Sequence, residues 1–433
     1  MKVKLYTLGC KVNQYETEEI TELLLKNGYE ITLQDSEAEV FVVNSCTVTA
    51  ESDRKTRQLV RRLKRHFPES TVVLTGCMPQ AFPDAASALT AADIVIGNKS
   101  NVTLPQKLRA YFETKQRLFA VEQHKSGEPF LGAPIADFHE RTRAILKIED
   151  GCDRFCSYCI IPTARGRVRS KPIAEIEKEA QALSDAGYRE LVLVGINLSA
   201  YGKDSGERFT DAVSAACAPS GVLRVRLGSL EPDHITDEVI HELSKLPKLC
   251  GQFHISLQSG CDRTLQRMNR HYTAAQYAAL AEKLRTAFPD CTLTTDIMVG
   301  FAGETEEDFK ETVAFAKQIG FEKIHVFPYS VREGTRAASF DGQIEKCEKE
   351  RRAAALLAVA AEIRSAFLQK QIGKTVEVLC EHKTENGLHF GYTANYTPVY
   401  FESETAAPGS LCRVTLEKSD GEAVYGTEFF QKS

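Results

Sequence analysis

Six of the thirteen cysteines are placed where they could do chemistry together. Cys152, Cys156 and Cys159 follow one another as Cys-x3-Cys-x2-Cys. Structural zinc sites favour paired Cys-x2-Cys units and four ligands, whereas this loop offers three thiols and no obvious fourth. Three thiolates on a [4Fe–4S] cubane would leave one iron open to a substrate or cofactor. The other three, Cys10, Cys46 and Cys77, lie 36 and then 31 residues apart, about one βαβ unit each time. Cys217, Cys250, Cys261, Cys291, Cys347, Cys380 and Cys412 lack metal spacing and are read as structural. The odd total and the absence of an apolar leader in the first ten residues argue against a disulfide framework.

The elements that must position these thiols follow from the apolar pattern. Val3 to Leu8 reads as a strand running into Gly9-Cys10, and a helix from Glu16 to Lys26 ends at Asn27-Gly28. Val40 to Val43 is a continuous apolar strand before Asn44-Ser45-Cys46, and Val72 to Leu74 precedes Thr75-Gly76-Cys77. In an open parallel sheet the carboxyl ends of the strands form the ligand crevice, so these cysteines should converge on one edge. Six strand candidates then alternate with helices: 144–148, 191–194, 223–227, 253–257, 293–299 and 324–327. That pattern indicates a partial (βα)6 barrel. After ~370, short strands at 373–380, 388–394, 397–401 and 412–417 predict a small all-β barrel. The expected divisions are 1–112, a polar linker 113–137, 138–370 and 371–433. The fold class is therefore a multidomain α/β protein with a doubly wound N-terminal sheet, a central partial barrel and a closing β-barrel.

Composition narrows the function classes. With 433 residues, 43% hydrophobic and 26% charged, the chain is globular rather than disordered. No run of 18 apolar residues exists, which excludes an apolar spanning helix, and a cytoplasmic location is expected. The net charge of −5 confines any nucleic-acid contact to local patches.

The cysteine triplet after the first barrel strand resembles the radical S-adenosylmethionine superfamily. The resemblance implies that S-adenosylmethionine chelates the open iron and is cleaved by one electron to a 5′-deoxyadenosyl radical, with Tyr158 near the adenine. Further motifs narrow it: Thr7-Leu-Gly-Cys10-Lys-Val-Asn13, Asn44-Ser-Cys46-Thr, Thr75-Gly-Cys77, Gly195-x-Asn197, Tyr201-Gly202, Leu230-Glu231-Pro232, Ser256-Leu-Gln258-Ser-Gly260, Met298-Val-Gly-Phe301 and Arg332-Glu-Gly-Thr335. These resemble the methylthiotransferases along the whole chain. The resemblance implies a second [4Fe–4S] cluster on Cys10, Cys46 and Cys77 that handles the sulfur. It implies a C-terminal β-barrel that binds RNA. Gly-Cys-Lys-Val-Asn-Gln-Tyr-Glu-Thr at 9–17 is similar to the branch acting on threonylcarbamoyladenosine in tRNA, where the isopentenyladenosine branch usually has Gly-Cys-Gln-Met-Asn and the ribosomal-protein branch Gly-Cys-Pro-Lys-Asn. Ala302 departs from the family's usual Gly-Phe-Pro-Gly-Glu-Thr, a loop change expected to leave the chemistry intact.

An RNA substrate needs a basic surface, and the closing domain does not supply it, since 371–433 holds five Lys/Arg against nine Asp/Glu. The helix from Glu51 to Phe67 holds seven basic and two acidic residues. Its Arg54, Arg57, Arg61 and Arg65 line one face, while Leu59, Val60, Leu63 and Phe67 must face the sheet. A second basic run, Arg165, Arg167, Arg169 and Lys171, follows the cluster loop. Glu231 and Asp296, at or near strand ends, are weighed equally as cofactor contacts and as buried structural carboxylates. Gly195 and Asn197 join Tyr158 as cofactor-binding positions by resemblance, and His254 and His325 are read as core histidines.

The favoured function is addition of a methylthio group to C2 of N6-threonylcarbamoyladenosine at position 37, in the tRNA anticodon loop. One S-adenosylmethionine methylates the sulfur at the Cys10/Cys46/Cys77 cluster and a second generates the radical; an electron donor and a sulfur source are required. The same chemistry on isopentenyladenosine or on a ribosomal-protein aspartate is the alternative. A non-catalytic iron–sulfur carrier fits less well, because such a protein ligates every iron itself.

Overall fold

The structure, a computed structural model, describes residues 1–132, 135 and 142–429; the end of the expected linker, the first residues of the expected central region (138–141) and the last four residues lie outside these. The chain opens with a parallel sheet of six strands in the order β2-β1-β3-β4-β5-β6. They are β1 (Lys2–Thr7), β2 (Glu30–Ile31), β3 (Val40–Ser45), β4 (Thr71–Gly76), β5 (Ile94–Ile96) and β6 (Leu118–Ala120). Every residue of β3 and β4 is buried, as a run of β-branched residues in a doubly covered sheet requires. Alternation sorts the two faces: Phe41 and Val43 pack with Val60 and Leu63 of helix α2 (Ala50–His66), and Val40 and Val42 with Ile20 and Leu24 of helix α1 (Lys11–Lys26). Thr7 pairs with Asn44 and Ser45 with Gly76, so β1, β3 and β4 end level.

β6 corrects the linker expectation: Leu118–Ala120 pairs with β5 and closes the edge of this sheet. A three-residue edge strand between Arg117 and a polar stretch carries too little apolar pattern to stand out.

The central part holds β7 (Arg143–Lys147), the short β8 (Glu149–Asp150) and β9 (Arg169–Ser170), then β10 (Glu190–Val194), β11 (Arg224–Leu227), β12 (Ser229–Leu230), β13 (Gln252–Ile255), β14 (Thr292–Val299) and β15 (Lys323–Pro328). β11, β10 and β7 form one parallel sheet and β12 to β15 another. They meet at Gly228, whose N–H donates to the Leu193 carbonyl at 2.8 Å and whose missing side chain lets the chain cross at that carbonyl. A bridge between Val225 and Leu249 joins the two. With β11 and β12 counted as one strand broken at Gly228, the result is the six-stranded partial barrel, wrapped by helices such as Ile173–Asp185 and Glu306–Ile319 around one large core.

A 24-residue helix, Lys346–Gln369, packs on β15 and leads into a closed barrel of β16 (Thr375–Lys383), β17 (His389–Thr393), β18 (Pro398–Glu402), β19 (Leu411–Ser419) and β20 (Val424–Glu428). The fifth strand, β20, was not expected. Its Val424, flanked by Asp420, Gly421 and Glu422, joins the barrel core with Val378, Val399, Phe401 and Leu416.

Candidate functional site

The N-terminal cysteines gather at one sheet edge because β1, β3 and β4 end together. Cys10 caps α1, Cys46 follows β3, and Cys77 opens the short helix α3 (Cys77–Ala81). Gly9 adopts a φ of +114°, and a Cβ there would lie 2.7 Å from that of Cys46, so only glycine lets these loops close. Asn13 ties the cradle: its Nδ2 donates to the Leu8 and Ser45 carbonyls at 2.9 Å, and its Oδ1 faces the sulfurs of Cys10 (3.6 Å) and Cys77 (4.0 Å). Burial pushes the Cys10 thiol up and the Cys77 thiol up to about 12.

A buried cation network sits behind this edge. Arg165 Nε donates to Cys77 Sγ at 3.2 Å, and its Nη2 reaches Asn13 Oδ1 and Glu16 at 2.9 Å. Lys147 bonds Glu16 and Asp150 at 2.9 Å, and Arg169 pairs with Asp150 at 3.3 Å. The Arg165 guanidinium beside Cys77 favours a thiolate and an anionic metal–thiolate group there, so the cradle fits an iron–sulfur cluster.

The second triplet is launched from β8 at Gly151, where φ is +89° and a Cβ would lie 2.0 Å from the Arg167 carbonyl oxygen. Backbone bonds from Cys152 to the Gly166 carbonyl, Cys159 to the Cys156 carbonyl and Ser157 to the Met268 carbonyl hold the loop (2.9–3.0 Å). Asn197 Nδ2 donates to Cys152 Sγ at 3.8 Å, and Arg270 Nη1 to Cys156 Sγ at 3.2 Å. Arg270 also pairs with Glu231. Burial pushes Cys152 up strongly and Cys159 up to about 12. These thiols, with a guanidinium on one sulfur and an amide on another, likewise suit a cluster.

A cavity of about 690 Å³ opens beside the first centre. It is lined by Cys10 and Lys11 at one side, by Gly195, His254, Asp296 and His325 of the barrel, and by Tyr392 and Tyr396 of the closing barrel. A second cavity of about 230 Å³ holds Tyr158, Cys159 and Met298, and shares Asp296 and Phe327 with the first. Asp296 therefore stands where the two meet, with its carboxylate 3.4 Å from His254 Nε2. His254 and His325 were expected in the core; both face the cavity, their rings 5.7 Å apart.

The remaining expected residues divide clearly. Tyr158 lines the smaller cavity, edge-on to Phe301. Glu231 directly follows β12, as expected, and lies beside Cys156 through Arg270 rather than lining either cavity. Gly195 is needed for space, since a Cβ there would lie 2.6 Å from Glu149 Oε2. Arg54, Arg61 and Arg65 are exposed and Arg57 half-buried on α2, with Arg54 already paired to Glu51. Arg167 is exposed, but Arg165 (0% exposed) and Arg169 (6%) are not available to RNA, because Glu16 and Asp150 hold them inside.

Two residues of the site were not singled out from the sequence. Glu149 is fully buried, accepts from the Asn197 N–H at 2.7 Å, and has an unpartnered Oε1; burial holds its carboxyl far above the usual range. Glu16 anchors Arg165 and Lys147. Glu16 lies within the 9–17 motif and Glu149 in none, but nothing in either position told of burial, since a lone carboxylate reads the same in sequence whether solvated or buried.

The barrel, the triplet loop and the sheet place the chain in a recognisable class. Residues 146–316 match the Radical SAM superfamily, and residues 2–97 match the Uncharacterized protein family UPF0004. The fold is similar to a radical S-adenosylmethionine methyltransferase, TsrM, from Kitasatospora setae, with a TM-score of 0.58, 14% identity, and 78% of this chain and 77% of that one covered. Along nearly its whole length the chain is 38% identical to the threonylcarbamoyladenosine tRNA methylthiotransferase MtaB of Bacillus subtilis (96% of this chain, 94% of that one). It is 36% identical to that of Thermotoga maritima (97% and 95%) and 33% identical to a tRNA-2-methylthio-N(6)-dimethylallyladenosine synthase of Clostridium botulinum (98% and 96%). The chain belongs to the radical S-adenosylmethionine methylthiotransferase family. It is thus a radical S-adenosylmethionine enzyme, and its class implies S-adenosylmethionine and a [4Fe–4S] cluster.

Proposed function

We propose that this protein is a tRNA methylthiotransferase acting at C2 of N6-threonylcarbamoyladenosine, at position 37 in the anticodon loop. The observation that carries it is a pair of adjoining cavities, one lined by Cys10 and the other by Cys159, that share Asp296 and Phe327, in a chain aligned nearly end to end with curated enzymes of that activity. When bound, S-adenosylmethionine and its cluster supply radical chemistry at an unactivated carbon, which no side chain can provide. The chain's own residues hold and shield. Cys10, Cys46 and Cys77 would ligate a second [4Fe–4S] cluster, with Arg165 compensating its charge. Cys152, Cys156 and Cys159 would ligate the first, steadied by Arg270 and Asn197 through the sulfurs of Cys156 and Cys152; Tyr158, Gly195 and Asp296 would border the cofactor, with Glu231 holding Arg270. Arg54, Arg57, Arg61, Arg65 and Arg167 would meet RNA phosphates. An electron donor and a sulfur source come from outside the chain. Among the described residues no helix is long and apolar enough to cross a membrane, and we place the enzyme in the cytoplasm with its tRNA.

The two centres are separable by substitution. Cys156→Ala should abolish S-adenosylmethionine cleavage, while Cys46→Ala should keep 5′-deoxyadenosine formation and lose methylthio product. Product from the Cys46 variant would refute the second-cluster role, and persistent cleavage by the Cys156 variant the first.

A further inference from the structure

We infer that Lys11 forms an anion subsite in the central cavity, built to take the carboxylate on the N6 substituent of the substrate adenine. It rests on the threonylcarbamoyladenosine assignment above. Lys11 opens α1 directly after Cys10 and lines both the central cavity and an adjoining one of about 310 Å³. It is exposed to that space, and among the described residues it makes no hydrogen bond or ion pair. The neighbouring cations are committed: Arg143 to Glu381 at 2.7 Å, Arg226 to Glu190 at 3.0 Å, and Arg364 to Glu322 at 2.5 Å. Lys323, which begins β15 and lines the same cavity, is also unpaired among the described residues. Of the carboxylates lining the cavity, Asp296 lies against His254 and Glu322 is held by Arg364. Unmatched positive charge therefore remains beside Cys10. The 16-residue α1 starts there with no acidic side chain in its first turn and no side-chain cap, so its dipole adds to that charge.

A carboxylate arriving at this unpartnered ammonium gains a charge-assisted hydrogen bond. An apolar substituent would leave it unmatched. On the purine, C2 and the N6 substituent share one edge with N1 between them. A base that presents C2 toward Cys10 thus carries its substituent past the next residue, Lys11.

The test compares binding of tRNA bearing threonylcarbamoyladenosine at position 37 with the same tRNA lacking the threonylcarbamoyl group, by fluorescence anisotropy at fixed salt. Wild type is expected to prefer the modified tRNA by roughly ten- to hundredfold, the range of one charge-assisted hydrogen bond. Lys11→Gln should lose most of this preference while keeping its iron content and 5′-deoxyadenosine formation, and Lys11→Arg should recover part of it. An unchanged preference in Lys11→Gln overturns the subsite. So does a wild type that forms the methylthio product without preferring the modified tRNA, and then the proposed function stands. If wild type forms no methylthio product from the modified tRNA, both fall.

Discussion

Arg165 has no exposed surface, yet its guanidinium is fully committed, to Cys77 Sγ, Asn13 and Glu16. Removing one partner of such a network leaves the others charged and buried, at about 3–5 kcal/mol. Arg165→Ala should therefore lower unfolding free energy by about that amount in a urea titration, whereas exposed Arg167→Ala should change it by less than about 0.5 kcal/mol. A stable Arg165→Ala variant that merely binds tRNA less well would return Arg165 to the RNA surface. The six cysteines could be read from spacing because a cluster demands several thiols at once. Arg165, Arg167 and Arg169 could not be told apart, because burial of the first depends on Glu16, 149 residues away. Glu149 was invisible for the same reason: its meaning comes from Gly195 and Asn197, which only the barrel brings against it.

At the scale of elements, α2 shows why its basic face is free. Val60 and Leu63 are buried on the sheet, Thr49 caps the first turn by accepting from the Ser52 N–H, and Glu51 and Asp53 suit its positive end. Stability thus comes from the opposite face and the cap, leaving Arg57, Arg61 and Arg65 for a partner. Replacing these three with Ala should weaken tRNA binding and reduce the steepness of log K against log salt by roughly 0.7–0.9 for each phosphate no longer neutralised, with unfolding nearly unchanged. An unaltered salt dependence would remove α2 from the RNA surface. The long elements were readable because their apolar periods are strong, as in β3, β4 and Ile173–Asp185. β6 and β20 escaped because short edge or barrel strands, flanked by charges and turns, carry few periodic positions.

Across the whole molecule, three parts close on one space: the N-terminal sheet brings Cys10, the barrel brings His254 and Asp296, and the closing barrel brings the stacked pair Tyr392 and Tyr396, 4.4 Å apart. Interlocking hydrogen bonds fix them, including Arg332 on Asp53 at 2.7 Å and Arg224 on the Glu377 carbonyl at 2.9 Å. The order of motifs identified each part, but not that all three line one cavity, since packing between parts leaves no periodic trace in sequence. Comparing digested tRNA nucleosides by mass spectrometry, from cells with and without this protein, tests the substrate and reaction together. The methylthio form of threonylcarbamoyladenosine should vanish without the protein and return with the wild-type chain but not with Cys156→Ala. Its persistence in cells lacking the protein as their sole enzyme of this kind, or loss of the methylthio group from isopentenyladenosine instead, would contradict the assignment.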